Sequence, residues 1–334
     1  VPLIDASGQP RWGLIDEPVD RVNFDDFDLR TVMDRPRSRW ARRFGHNQFQ
    51  FVGVMGREWL AGVAVVDLKW IANAFFYLYD FREGRLLEHS SLQPLAWGTR
   101  IDSSPDTGSS RFAQGSTQVS ITPLGDAREV VVQQGKDVSM RFRVAVPAAF
   151  ETLRLCSRAG YSGWVYTQKS AGLPVSGEVR WGDYHYTTDA DHRASIDWSG
   201  GFMRRETAWN WACLAGVTEQ GVSIGLNLAA GVNETGVTEN ALWVDGRRTT
   251  LAPADFRFQR YRPEEPWQVS TSDGRVDLRF LPAGVRKERV NLGLLASNFR
   301  QFYGHFEGHL TDDQGNTHSL VAQPGLMEDH FARW

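Results

Sequence analysis

Two carboxylates in the second half of the chain stand beside aromatic residues in a way that suits acid chemistry. Asp197 precedes Trp198, and Glu239 precedes Asn240 in a stretch that continues to Trp243. A carboxyl group set in an apolar wall keeps its proton to higher pH than usual and can donate it near neutrality. Tryptophan faces stabilise positive charge through the ring quadrupole. Together they supply what protonating an alkene or polyene requires, with no metal and no nucleotide. Trp209, Trp211, Trp243, Asn227 and Glu239 make an expected aromatic pocket with a few polar groups, the mix that small-molecule sites use. Asp197 and Glu239 are the expected acids, and Asn227 or Asn240 the group that orients a water or a carbonyl oxygen. Each also has a plainer role open to it. Tryptophan fills the cores of β proteins, Asp197 can start or end a strand, and Glu239-Asn240 can flank a hairpin. Glu206, next to Arg205, is expected to be ion-paired.

Other constellations carry weaker signals. Lys69-Trp70 puts an ammonium in an apolar strand context, where it serves as a base or as an anchor for a ligand carboxylate, or simply runs its stem along apolar surface to reach water. His305-Phe306-Glu307-Gly308-His309 has a metal-like look. On a flat strand, however, its two histidines stand about 13 Å apart, too far for one ion without a bulge. Asp183, His185, Asp189, Asp191 and His192 cluster on a turn-like stretch. Glu328 and His330 form an acid–base pair on one face if extended, or belong to a C-terminal segment that seals a barrel with Phe331 and Trp334. The phosphate-cradling loop, the dinucleotide fingerprint, the Gly-x-Ser-x-Gly elbow and Cys-x-x-Cys are all missing, which disfavours nucleotide-dependent, α/β-hydrolase and structural-zinc chemistry. No metal and no cofactor is expected.

The elements that must position these residues are strands. Period-2 alternation recurs through Phe49 to Val54, Gly62 to Leu68, Ala74 to Tyr79, Glu129 to Gln133, Ser139 to Val146, Ser223 to Leu228, Ala241 to Val244 and Val276 to Phe280. Glu83-Gly84, Gly125-Asp126, Asp245-Gly246, Asp273-Gly274 and Gln314-Gly315 punctuate them as hairpin turns. Helix is expected only near Asp34 to Arg43 and around Pro147 to Leu153. An aromatic strand, a small-aliphatic strand and another aromatic strand occur from Phe49 to Asp80. They recur from Trp209 to Asp245 at a shift of 159 to 165 residues, the mark of two similar β units in tandem. The expected division is an N-terminal arm, 1–44, a first β-barrel unit, 45–150, and a second, 151–334.

Composition bounds the function. The 334 residues carry 37 Lys and Arg against 40 Asp and Glu, a formal charge of −3 with both signs spread along the chain, so nothing is expected to act as a counterion sponge for nucleic acid or anionic lipid. The apolar stretch from Trp59 to Tyr79 is interrupted by Asp67, Lys69 and Asn73, short of the roughly 18 uninterrupted apolar residues of a spanning helix. Cys156 and Cys213 allow one disulfide at most and read first as small buried side chains. No leader is visible at Val1, and a cytoplasmic setting is expected. The 13 Trp and 19 Phe are the surplus that a function must explain.

Several strings bear a resemblance: Ile196-Asp197-Trp198-Ser199-Gly200-Gly201, Thr207-Ala208-Trp209-Asn210-Trp211-Ala212, Gly225-Leu226-Asn227-Leu228, Glu239-Asn240 with Asp245-Gly246, and Glu328 to Trp334. Together the chain resembles a bacterial domain-of-unknown-function family of tandem lipocalin-like proteins, remotely similar to hydroxyneurosporene synthase (carotenoid 1,2-hydratase), AttH-like proteins and tocopherol cyclase. The resemblance covers most of the chain and is strongest from about residue 196. It implies an all-β fold of two lipocalin-like antiparallel β-barrel units in tandem with few short helices, and it assigns no catalytic residue. The expected ligand is a hydrophobic small molecule of lipid or isoprenoid type, held by Trp198, Trp209, Trp211, Asn227, Asn240, Trp243, Lys69 and Trp70. Asp197 and Glu239 would hydrate, isomerise or cyclise it. A non-catalytic carrier and a carbohydrate-handling β protein are the alternatives.

Overall fold

The computed structural model describes residues 1–232, 236–291, 293 and 295–333. Trp334, the second half of the C-terminal seal that the sequence offers, lies outside them. The first forty-odd residues are mostly irregular, with a short strand β1 (Gly13–Leu14), a 3-10 turn (Phe24–Asp26) and one helix, α1 (Arg39–Gly45). Strands follow for the rest of the chain. First come β2 (Asn47–Met55), β3 (Trp59–Asp67), β4 (Ile71–Asp80), β5 (Arg85–Pro94), β6 (Thr99–Ile101), β7 (Ser110–Gln114), β8 (Thr117–Leu124), β9 (Ala127–Gln134) and β10 (Val138–Ala145). Next are β11 (Leu153–Ala159), β12 (Gly163–Trp181), β13 (Tyr184–Thr187) and β14 (Arg193–Phe202). After a short connection come β15 (Glu206–Val217), β16 (Ser223–Ala230), β17 (Ala241–Val244), β18 (Arg247–Thr250), β19 (Ala254–Arg257), β20 (Trp267–Thr271), β21 (Val276–Asn291), β22 (Ala296–Thr311) and β23 (Thr317–Arg333). Among the described residues no helix is long and apolar enough to cross a membrane.

The strands form two curled antiparallel sheets. The first has the order β5-β4-β3-β2-β14-β12-β10-β9-β8-β7-β6, with β11 and β13 added beside β12; the second runs β18-β17-β16-β15-β23-β22-β21-β20-β19. In each, a four-strand meander pairs its opening strand with the closing strand of the unit, β2 with β14 and β15 with β23. The repeat read from the aromatic strands is therefore a repeat of topology, and β2 and β15 begin 159 residues apart, the same shift. The division expected at 150/151 does not follow the hydrogen bonding. Strands β11 to β14, residues 153–202, belong to the first sheet, because the closing strand β14 must return to β2, so the sheets part at residues 203–205.

Alternation along each strand sorts side chains into three cores. The first sheet curls around Val52, Val54, Phe76, Phe112, Phe142 and Trp164, joined by Leu3, Ile4, Val19 and Val22 of the N-terminal segment. The second encloses Leu226, Trp267, Phe280, Phe302 and Phe306. A third core lies where the sheets pack on each other, with Phe51, Tyr77, Tyr79, Trp211, Trp243 and Tyr303. The first half-barrel keeps a pocket of about 220 Å³ beside Arg128, Gln168 and Trp198, and the face the two sheets share is aromatic.

Candidate active site

Cross-strand register builds the site as two facing walls. On the first sheet Lys169, Asp197, Phe51, Ala64 and Phe75 stand opposite one another across β12, β14, β2, β3 and β4. Two residues along, on the same face, come Thr167, Ser199, Phe49 and Val66. On the second sheet the matching row is Gln301, Glu328, Trp211 and Ala229 across β22, β23, β15 and β16. The row beside it is Phe299, His330 and Trp209. The tandem repeat thus places Asp197 and Glu328 at equivalent points of the two sheets, and Phe51 and Trp211 likewise. The latter two rings meet edge-on, 6.0 Å apart. Between the walls lies a mainly apolar cavity of about 200 Å³ lined by both.

Its polar groups fall into two clusters. In the first, Lys169 Nζ contacts Asp197 Oδ2 and stands 3.3 Å from Glu239 Oε1, with all three side chains almost wholly buried. Ser199 Oγ donates to Asp197 Oδ1 at 3.1 Å and is itself 2.7 Å from Thr167 Oγ1. Burial raises the Asp197 carboxyl above the usual aspartate range; the Lys169 ammonium opposes this and the nearby Glu239 carboxylate adds to it. Burial alone would lower the lysine, but the two carboxylates hold it above its ordinary value. One ammonium neutralises one carboxylate, so a proton left on the second carboxyl makes the cluster neutral, as burial demands.

The second cluster is centred on Glu328. Its Oε1 accepts from Trp209 Nε1 at 3.1 Å and its Oε2 from Gln301 Nε2 at 3.3 Å. His330 Nδ1 stands 3.4 Å from Glu328 Oε1, while its Nε2 is 3.0 Å from Ser297 Oγ. The imidazole is packed against Trp209 and Phe299, at 4.2 and 4.9 Å between centroids. Gln301 is 2% exposed, and its Oε1 finds no hydrogen-bond donor among the described residues. The cavity therefore has a carboxylate–ammonium end and a carboxylate–imidazole end joined by aromatic walls.

Of the residues expected from the sequence, Asp197, Glu239, Trp209 and Trp211 line this cavity together. The others do not. Trp198 follows Asp197 on a strand, so it faces the opposite side and packs in the first core, 5.9 Å from Tyr166. Asn227 and Asn240 brace backbone. Asn227 accepts from Trp211 Nε1 at 2.8 Å and donates to the Glu239 carbonyl, while Asn240 accepts from Ala229 N and donates to the Ala252 carbonyl. Trp243 is fully buried in the inter-sheet core, its Nε1 donating to the Glu151 carbonyl at 2.8 Å. Lys69 sits in the β3–β4 turn and pairs with Asp67 at 2.5 Å, and Trp70 is 56% exposed. Glu206 pairs with Arg333 at 2.7 Å.

The strand with His305, Glu307 and His309 is bulged between Phe306 and Gly308. His305 packs on Phe81, and His309 meets Ser319. Among the described residues no group of three or more His, Cys, Asp and Glu is placed to hold a metal.

Lys169 and Gln301 are the site residues that sequence reasoning passes over. Each sits in a long strand that looks ordinary by itself, and only register brings Lys169 beside Asp197. A weak signal existed for the second cluster, since Glu328 and His330 alternate correctly for one face.

The fold has counterparts among solved structures. The AttH-like protein NE1406 from Nitrosomonas europaea is 13% identical with a TM-score of 0.50, over 87% of this chain and 93% of that one. CghA is 8% identical with a TM-score of 0.54, over 99% and 95%. Kievitone hydratase from Nectria haematococca overlaps less well, with a TM-score of 0.43 at 11% identity over 85% and 87%. At such identities the likeness to the first two is one of fold. No curated protein matches the sequence. The whole chain, residues 1–334, matches the family described as a domain of unknown function, DUF2804, and belongs to it.

Proposed function

We propose that the inter-sheet cavity binds a mainly apolar small molecule of lipid or isoprenoid type and that Asp197 protonates it without a cofactor. The observation that carries this reading is the buried Lys169–Asp197–Glu239 cluster opening on an aromatic cavity. A carboxyl held protonated by burial transfers its proton to a carbon–carbon double bond, and the cation that forms lies among Phe49, Phe75, Trp209 and Trp211. Glu328 and His330, across the cavity, take a proton from the cation or from the water that captures it. Loss of a proton from carbon gives isomerisation or cyclisation, and addition of water gives hydration. One ammonium serves both carboxyls, so the pair keeps one proton, which we assign to Asp197, the carboxyl that burial raises.

The test begins with protein purified from its own cells, examined by native mass spectrometry and organic extraction. An apolar metabolite, converted on further incubation to an isomer or a hydrate and left unconverted by Asp197→Asn, supports the reading. A lipid that is bound and never changed makes the protein a carrier, and the largely apolar cavity favours that as the second reading. Protein that arrives empty and takes up no apolar ligand overturns both.

A further inference from the structure

All three tryptophans with more than half of their surface exposed among the described residues lie on one ridge, and that ridge is flanked by arginine. Trp40 is 73% exposed, Trp70 56% and Trp97 84%. Trp40 stacks on Phe44 at 5.6 Å, one turn further along α1, and Phe44 meets Trp70 at 4.2 Å. The Trp70 carbonyl accepts from Leu95 N at 2.9 Å, which brings in the exposed Leu95 and, two residues on, Trp97. Aromatic surface on this scale is rarely left to water without a purpose.

The charge beside it is one-sided. Arg35, Arg37, Arg39 and Arg43 lie within nine residues around α1 and are exposed, and among the described residues no salt bridge or hydrogen bond engages their guanidinium groups. Arg42 is tied to the Asp25 carbonyl and Arg30 to Asp28. Only Asp34 interrupts the run from 32 to 46.

The ridge borders the cavity. Asn47, just after α1, lines it, and so do Leu68, two residues before Trp70, and Met203 and Arg204, next to Phe202. Phe202 in turn packs against the Gly45 end of the helix.

We propose that this ridge docks on the surface of an anionic lipid bilayer, with the tryptophans seated at the headgroup level and the arginines on lipid phosphates. Indole rings suit the membrane interface, and clustered basic residues beside them are what an anionic leaflet attracts. A neutral glycan would call for carboxylates and amides around the rings, where arginines stand instead. The docked orientation brings the cavity edge to the lipid, so an apolar molecule enters without crossing water.

The test uses the full chain with vesicles of phosphatidylcholine alone and of phosphatidylcholine mixed with phosphatidylglycerol, and it reads binding, so its result is separate from any turnover. Co-sedimentation with the mixed vesicles and not the neutral ones is expected, with weakening as salt rises and quenching of tryptophan emission by brominated lipid. Arg39→Glu/Arg43→Glu is expected to weaken binding by more than about tenfold. Trp40→Ala/Trp97→Ala, on exposed positions that leave the cores intact, is expected to lose most of the quenching, with Trp70 keeping the rest. Failure to bind the mixed vesicles at low salt, or binding that both double variants leave unchanged, overturns the proposal. So does tighter binding to single-stranded RNA or to a neutral polysaccharide, or a stable dimer in which these tryptophans are covered.

Discussion

At the scale of single residues the chemistry turns on how many protons the Lys169–Asp197–Glu239 cluster holds. An aspartate raised by burial binds its proton more tightly in the folded state than in the unfolded chain, so the stability this confers is present at low pH and lost as pH rises through the raised value. Infrared difference spectra are expected to show a protonated-carboxyl band that persists above the range in which ordinary aspartates ionise, and that disappears in Asp197→Asn. For the same reason turnover, once a substrate is in hand, falls as pH rises through the Asp197 value. Removing the cation is the harsher change. Lys169→Met leaves two buried carboxyls without a counter-charge and is expected to cost about 3–5 kcal/mol in denaturant unfolding. Part of that loss returns as pH is lowered and both carboxyls take up protons. A Lys169→Met protein as stable as the parent at neutral pH would show that the ammonium is not paired as drawn.

At the scale of elements the site depends on how closely the two sheets approach. Strand β12 carries a bulge at Ala171–Leu173, where Gly172 adopts φ +89°, and this bulge lies directly on Gly225 of β16. A β-carbon at Gly225 would overlap the Ala171 carbonyl, so two backbones meet where no side chain fits. Gly225→Ala is expected to destabilise the protein by about 1–3 kcal/mol and to weaken ligand uptake, because the walls of the cavity are pushed apart. Thermal unfolding and binding of an apolar fluorophore measure the two effects, and an unaltered melting temperature would contradict this packing. The aromatic strands at Phe49 to Val54 and Trp209 to Leu214 could be recognised as counterparts from sequence, since alternation and ring placement are local. The closing strands β14 and β23 could not, although they carry Asp197 and Glu328. Their partners lie more than a hundred residues upstream, and nothing local marks which strand returns to the first.

At the scale of the whole molecule the shared aromatic core argues against two independent halves. Phe51, Tyr77 and Tyr79 from the first sheet and Trp211, Trp243 and Tyr303 from the second are buried in one core that both sheets build. The Tyr79 hydroxyl also donates across to the Ala283 carbonyl at 2.7 Å. Chemical denaturation is therefore expected to give one transition, with far-ultraviolet circular dichroism and tryptophan emission superimposable. Two separated transitions would show that the sheets unfold singly and that the cavity opens before either core is lost. The net charge of −3 hides the local excess of arginine around α1, because a total carries no information about position.

The sequence by itself determined the class of the fold, the tandem repeat and the alternation that gives each strand two faces. All three are written in period-2 alternation and turn punctuation, which act over a few residues. It also singled out Asp197, Glu239, Trp209 and Trp211, as carboxyls beside aromatic residues. Only the tertiary structure decided that the cavity holding Asp197 and Glu239 lies between the sheets, that Trp198 and Trp243 face away from it, that Trp70 faces outward, and that Lys169 stands between the two carboxylates. Those outcomes depend on register between distant strands and on which faces of two curled sheets meet. A strand's own residues specify its alternation, but only the partner strand specifies what stands opposite.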